Sequence, residues 1–511
     1  MTKRKSDSKN EAPSDLVPTK KNVKPQNTGG AKSKCDKAGA MSEIEMLTKA
    51  VCVRGKPMFW SSENGSGVLR SYREAKIYFS QIGWFDDKGN WRDAFPVWQR
   101  SLVRKNWAGL EFRPLPPGCA DTVNANQINS WTGWSVEPKP GGTYKKLEEL
   151  IRDGMCAGSD ELFKWYWAWL AHSVQKPAKL PGTAIVMYGQ QGIGKNTIFN
   201  AASSLCKNHS FEVTTQDQLT GRFTSHLCNR LYVLSDEATY AKSKQALGRL
   251  KALITSSELA VDEKNKPIYA VQNYTRLFIC TNNDSAYPSE IGERRSAVFK
   301  FADVFKGDKV FFRELYAELA KGGSEALLYD LLRVDLAALP DPTVIPETEG
   351  LIEQKINWLD SATSFALDVL EAGELIRNPQ FEYGNVWPDF VVVSDLWENY
   401  LRCAKEGNHR YQESSSRGLL KKLTPLLGLW PQSKSRKMSR SSSGGTEKPK
   451  TRKVPTLEDS AAIFRKATGL PVDLEANDHR KPVIIKNNEV PENVVPLTPR
   501  QTPGMTGAHH G

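Results

Sequence analysis

AIVMYGQQGIGKNTIF, residues 184–199, decides how this chain is read. An apolar run ends at Tyr188, a loop with glycines at 189, 192 and 194 follows, and Lys195, Asn196 and Thr197 lead into the apolar pair Ile198-Phe199. Strand, glycine loop and helix in that order turn backbone N–H groups and a helix N-terminus toward phosphate oxygens. Gly189, Gln190, Gln191, Gly192, Ile193, Gly194, Lys195, Asn196 and Thr197 are therefore the expected cradle for ATP, with Lys195 neutralising the β and γ oxygens. A Ser or Thr hydroxyl usually ligates Mg²⁺ at the position that Asn196 holds here. The Asn196 amide oxygen is an alternative hard ligand, as is the hydroxyl of Thr197.

Downstream, RLYVLSDEAT (230–239) presents an apolar strand, Leu231 to Leu234, that runs into Asp236 and Glu237. Carboxylates at the C-terminal end of a buried strand stand where α/β proteins bind ligands. Asp236 is expected to hold the Mg²⁺ shell and Glu237 to polarise an attacking water. The bland alternative is an ordinary strand end, and the order and distance from the glycine loop favour function. A third apolar strand, Leu277 to Cys280, leads to Asn282, whose amide can orient that water or sense the γ-phosphate. Arg294 and Arg295 follow in GERR (292–295). Such an arginine can stabilise transition-state charge in cis or from a neighbouring subunit, or simply pair with Glu290 or Glu293 at the surface.

Between the second and third strands, Ala260-Val261 and Ile268 to Val271 read as a hairpin around Asp262 to Pro267. Lys264 and Lys266 at its tip suit a device that grips a phosphate backbone, although exposed charged turns are usually only solvated loops.

The fold class expected is α/β: a P-loop NTPase core with an AAA+-like sheet, preceded by a small α+β/helical region and followed by a helical subdomain and a winged-helix module. Residues 1–40 are polar and basic and are expected to be a disordered tail. Residues 41–123 form a small region of unread role with a hairpin signal at 86–90, and 124–305 form the ATPase core. A helix with apolar spacing spans Asp160 to His172, with Asp160 placed to cap it. Helical spacing at Val310 to Leu332 and Ile352 to Leu370 defines a subdomain over 306–375. Helices at Val391 to Tyr400, Ser416 to Leu427 and Leu457 to Thr468, with a basic loop among them, suggest the winged-helix module over 376–472. Residues 473–511 read as a second disordered tail.

The 511 residues are 39% apolar, with no stretch suited to a bilayer and no secretory signal layout. A cytoplasmic protein that is not secreted and has no membrane partner is expected. Eight cysteines, none closer than seventeen positions to the next, lack metal or redox spacing. The net charge of +12 is concentrated: residues 1–40 carry ten Lys/Arg against four acids, and 434–453 carry eight against one. A polyanionic partner is the simplest explanation of such clusters, and a solubilising tail is the alternative for the first.

GQQGIGKNT, LSDEA, LKALITSSELAVDEKNKPIYAV, FICTNN and GERR occur in the order seen in superfamily 3 helicases. The chain most resembles helicase domains attached to phage and plasmid primases, including the poxvirus primase-helicase type and phage primase-polymerase helicase modules. The resemblance covers residues 124–305 well and the region to about 470 more faintly. It implies a homo-hexameric ring that hydrolyses ATP with Mg²⁺ between subunits and translocates on single-stranded or forked DNA during phage, viral or mobile-element replication. In it, Lys195 serves the phosphate loop, Asp236 and Glu237 the acidic motif, Asn282 the sensor, and Arg294 or Arg295 the finger. It also assigns Lys251, Lys264 and Lys266 to a segment that enters the central channel. Residues 41–123 are too few for a primase, so a separate primase or polymerase is an expected partner, and host-cell cytoplasm the expected location if a phage encodes the chain. The rival readings are an ATP-binding initiator or loader without processive unwinding, a P-loop phosphotransferase, and RNA in place of DNA. Glu237 argues against the first and the lysine-tipped hairpin against the second, while the third stays open.

Overall fold

The structure, a computed structural model, describes residues 36–53, 56–63, 66–121, 123–222, 224–236, 244–263, 267–282, 287, 289–376, 387–407, 412–431 and 450–474. The chain divides into two compact units, one of residues 1–111 with 123–128 and one of 112–122 with 129–511.

In the smaller unit the strands Lys49–Val53, Lys56–Glu63, Ser66–Arg70 and Asn106–Trp107 make a four-stranded sheet. Ala50 and Phe59 on one face are buried against helical residues Ala40, Ile44, Ala75, Phe79, Phe95 and Trp98. The 86–90 turn joins Gly83–Phe85 to Trp91–Asp93 as an antiparallel hairpin, as its Asp-Gly-Asn chemistry predicts. One helix, Lys37–Leu47, starts inside the segment expected to be a disordered tail. Asp36 caps it and Ala40 is fully buried, so apolar packing extends below residue 41.

The larger unit is built on a five-stranded sheet: β1 (Ala184–Tyr188), β2 (Ser210–Val213), β3 (Tyr232–Asp236), β6 (Arg276–Thr281) and β7 (Ser296–Lys300), all parallel, in the order β2-β3-β6-β1-β7. Its near-continuous apolar strands are what a sheet covered on both faces requires. Successive residues alternate between two cores: Ala184, Val186, Val233, Leu277, Ile279 and Val298 on one face, and Ile185, Met187, Leu234, Phe278, Cys280 and Phe299 on the other. Helices α1 (Asp160–Gln175) and α2 (Lys195–Ser204) lie on the second face, where Trp169 meets Phe278 edge-on. Helix α3 (Lys244–Thr255) covers the first through Leu250, Leu253 and Ile254. Residues 112–121 belong here, since Phe112 packs on Trp131, His209 and Tyr274.

Strands β4 (Glu258–Val261) and β5 (Tyr269–Gln272) pair antiparallel as the hairpin predicted between the second and third strands. Several local expectations shift. Ser159 rather than Asp160 caps α1, accepting from the Leu162 N–H, because Asp160 already has helical backbone. The helix expected over Val310 to Leu332 is α4 (Lys309–Glu318) and a later helix, Ser324–Leu331, with a kink at Lys321 and Gly322 between them. Ile352 to Leu370 is two helices, Glu349–Asn357 and Ser361–Ala372, and the Asp360 side chain caps the second. Ser361–Ala372 packs with the C-terminal helices Val393–Glu406, Ser416–Leu427 and Leu457–Thr468. Val391 is in a strand, Phe390–Val392, which pairs with Thr451–Lys453 in a three-stranded antiparallel sheet. No described helix is long and apolar enough to cross a membrane.

Candidate functional site

Parallel strands deliver their C-terminal ends to one edge of the sheet, so β1, β3 and β6 bring the glycine loop, Asp236 and Asn282 together. The loop closes tightly. Gly189 (φ 141°) and Gly194 (φ 108°) adopt backbone that L side chains rarely occupy. A Cβ at Gly189 would lie 2.9 Å from Ile193 Cδ1, and one at Gly194 would lie 2.9 Å from Leu150 Cδ1 and 3.0 Å from Phe312.

Lys195 is the first residue of α2 and is 7% exposed. Its ammonium donates to the Gly189 carbonyl (2.8 Å), the Gln190 carbonyl (2.6 Å) and Asn282 Oδ1 (2.7 Å). Asn196 Nδ2 donates to Asp236 Oδ2 at 2.8 Å, which leaves its Oδ1 as the remaining hard-ligand atom. Thr197 faces the opposite way: its hydroxyl shares a 3.1 Å hydrogen bond with Tyr316 on α4. Of the three residues named as metal ligands, Asn196 and Asp236 are thus together and Thr197 is apart. Gln190 Nε2 donates to Asp303 (2.8 Å) and its Oε1 accepts from Lys306, while exposed Gln191 and Gly192 form the outer turn. Glu237, Lys264 and Lys266 lie outside the described residues.

Arg294 and Arg295 stand elsewhere. They precede β7, whose first residue pairs with Ala184, and the Ala184 N–H donates to the Arg295 carbonyl (2.7 Å). That is the N-terminal edge of the sheet. Five residues of strand at about 3.3 Å each put roughly 15 Å between it and the glycine loop, farther than a guanidinium extends. The structure therefore does not bring either arginine to the glycine loop of its own chain. Among the described residues neither arginine pairs with Glu290 or Glu293: Glu290 pairs with Lys251 (2.5 Å) and Glu293 accepts the Arg295 backbone N–H (2.6 Å). Arg294 is exposed, and Arg295 Nε is buried with no partner. The β4–β5 hairpin springs from this same edge, where the Asn273 N–H donates to Ser257 and the Arg276 N–H to Leu231. Asp262, near its tip, is held by Arg222 at 2.8 Å.

Sequence reasoning missed Tyr316, Asp303 and Lys306. Asp303 and Lys306 reach the glycine loop only because β7 neighbours β1, a strand order that periodicity does not encode. Among the described residues no cluster of His, Cys, Asp and Glu is fit to hold a metal by itself.

Fold and site define a mixed α/β chain with a parallel sheet whose loop edge gathers an ammonium, a carboxylate and two amides. Residues 187–295, which include all of these groups, match a family of unknown function (DUF5906). The chain is 24% identical over 189 residues to the DNA primase-polymerase of Nitratiruptor phage NrS-1, a match covering 36% of this chain. It spans 26%, about a quarter, of the length of that relative. The fold is similar to the A form apo structure of the NrS-1 C-terminal region, with TM-score 0.57 and 15% identity over 81% of this chain and 98% of that one. A second apo structure of that region, residues 305–718, gives TM-score 0.57 and 16% identity over 81% and 97%.

Proposed function

We propose that this chain is an ATP-driven DNA helicase of the superfamily 3 type, working in phage replication as a ring on single-stranded DNA. The observation that carries the reading is the paired geometry at the loop edge, Lys195 to Asn282 at 2.7 Å and Asn196 to Asp236 at 2.8 Å. The strand β6 inserted between the loop strand and the acidic strand supports an AAA+-like sheet around a P-loop. The similarity to a phage primase-polymerase and to its C-terminal region supports the replication role.

In this reading the first N–H groups of α2 and the loop backbone face the triphosphate. Lys195 exchanges its carbonyl partners for β and γ oxygens. Asn196 Oδ1 and the Asp236 carboxylate would hold Mg²⁺, which would supply neutralisation of charge developing on the phosphates. Glu237, next in sequence to Asp236, takes the proton of the attacking water, and Asn282 holds that water or the γ-phosphate in line. Arg294 or Arg295 enters from the neighbouring chain, because strand direction keeps both away from their own loop. Lys251, Lys264 and Lys266 belong to the segment assigned to the DNA backbone, and rearranging the Lys251–Glu290 pair would free the first.

ATP hydrolysis with and without single-stranded DNA, together with unwinding of a fork, tests this in the parent, Lys195→Ala and Lys266→Ala. The expected result is DNA-stimulated hydrolysis that the first change abolishes, and unwinding lost with hydrolysis kept in the second. Hydrolysis without unwinding in the parent would favour an initiator or loader. Transfer of phosphate to a nucleoside would favour a phosphotransferase.

A further inference from the structure

The four-stranded sheet of the smaller unit has one face covered by helices and a second face of different chemistry. Register assigns the second face. Lys49 pairs with Trp60, Val51 with Met58, Trp60 with Leu69, and Val51 also with Trp107. Alternation therefore puts Lys49, the buried Val51, Met58, Trp60, Gly67, Leu69 and Trp107 on one side, while Ala50 and Phe59 point into the helices. The Trp60 ring lies across the neighbouring strand: a Cβ on Gly67 would come within 2.8 Å of its Nε1. Trp60 and Trp107 are both part-exposed and Leu69 is 38% exposed.

Cations sit over these rings. The Lys49 ammonium is 5.5 Å from the Trp60 ring centre and 5.3 Å from that of Trp107, and the Lys105 ammonium is 3.8 Å from that of Trp107. Two part-exposed indoles thus have one lysine between them and a second lysine beside them. Indole faces stack on unpaired bases, and ammonium groups attract the phosphates that join those bases. None of Lys49, Met58, Trp60, Gly67, Leu69 and Trp107 is acidic, and the segment 1–40, which overlaps the start of this unit, carries ten Lys/Arg against four acids. The charge favours a polyanion over an apolar protein surface.

We propose that this sheet face is a second nucleic-acid site, a stacking platform for single-stranded DNA centred on Trp60, Trp107 and Lys49. It is independent of the nucleotide site and does not rest on the helicase reading. Bases of about two or three nucleotides would lie on the indoles, with Lys49 and Lys105 swinging from the rings to the intervening phosphates.

The test is fluorescence anisotropy of a labelled dT oligonucleotide of about 20 residues, titrated with the full chain in the absence of nucleotide. Trp107→Ala is expected to weaken binding about 5- to 100-fold, Lys49→Glu at least fivefold, and Lys88→Ala, on the 86–90 turn, less than twofold. Trp107→Phe retains an aromatic face and should lie within about threefold of the parent, which separates stacking from misfolding. The same losses should persist when Lys264 and Lys266 are both changed to Ala, so that failure of the hairpin assignment and failure of this one give different results. Binding within twofold of the parent for both Trp107→Ala and Lys49→Glu overturns the proposal. An equal fold-loss toward a duplex of the same length also overturns it, because paired bases offer no free faces.

Discussion

At the N-terminal edge of the large sheet Arg276 is fully buried, and its guanidinium donates to the carbonyls of Pro177, Tyr274, Lys176 and Lys179 at 2.8–3.1 Å. At the C-terminal edge Lys195 donates to two carbonyls of its own loop and to the side chain of exposed Asn282. Both cations are buried, yet they are held differently. The partners of Arg276 are main-chain groups just beyond α1 and at the start of β6, which cannot leave without opening the core. Burial pushes its pKa down only to about 10, so it stays charged at neutral pH and its bonds are permanent. The partners of Lys195 are a glycine loop and an amide at a strand end, which the phosphate oxygens of the proposed nucleotide would replace. One edge is fastened, and the other is exchangeable.

Breaking the fastened edge should have the largest effect. Arg276→Met leaves four carbonyls without their donor, and we expect a loss of about 3–5 kcal/mol in urea unfolding, with activity lost through the fold. Next comes acid. His172 and His209 are both held down from 6.5 to about 4, chiefly by burial. His209 Nε2 accepts from the Thr132 N–H (3.1 Å), which leaves Nδ1 to donate to the Asn229 carbonyl (3.1 Å). The folded form therefore resists a proton that the unfolded chain accepts. Stability should be intact above pH 6.5 and fall as pH drops toward 4, by on the order of 2–3 kcal/mol per histidine. Urea midpoints measured at pH 7 and pH 5 check this, and His209→Asn should flatten the difference.

At the exchangeable edge, smaller stability changes should carry larger functional ones. Gly194→Ala forces a side chain into left-handed backbone against Leu150 and Phe312, and should cost about 1–3 kcal/mol. The same change should weaken binding of a fluorescent ATP analogue at least tenfold. Tyr316→Phe removes only the bond to Thr197 and should cost about 0.5–1.5 kcal/mol, with hydrolysis within twofold of the parent. A severe loss of hydrolysis there would instead bring Thr197 back as a ligand.

These contrasts mark what the amino-acid sequence could and could not reveal. The glycine loop, the strands ending at Asp236 and before Asn282, and the β4–β5 hairpin were legible because each is a local pattern of apolar period and turn residues. The apolar spacing that runs across Asp360 reads as one helix, whereas its side chain caps the second of two. Strand order was not legible, and with it went the contacts of Asp303 and Lys306 with Gln190 and the separation of Arg294 and Arg295 from the loop. Arg276 was hidden for a different reason. A charged residue opening an apolar strand reads as an exposed strand end, and the carbonyls of Lys176, Pro177 and Lys179, about a hundred positions earlier, join that of Tyr274 in making its burial tolerable.

The most direct test of the exchangeable edge is ATP hydrolysis by Lys195→Ala beside the parent, with both shown to unfold at the same urea concentration. The account predicts equal stability and hydrolysis below about 1% of the parent rate, as expected when a lysine that meets the transferring phosphate is removed. Hydrolysis at the parent rate in the folded variant would contradict it and remove the loop edge from the chemistry.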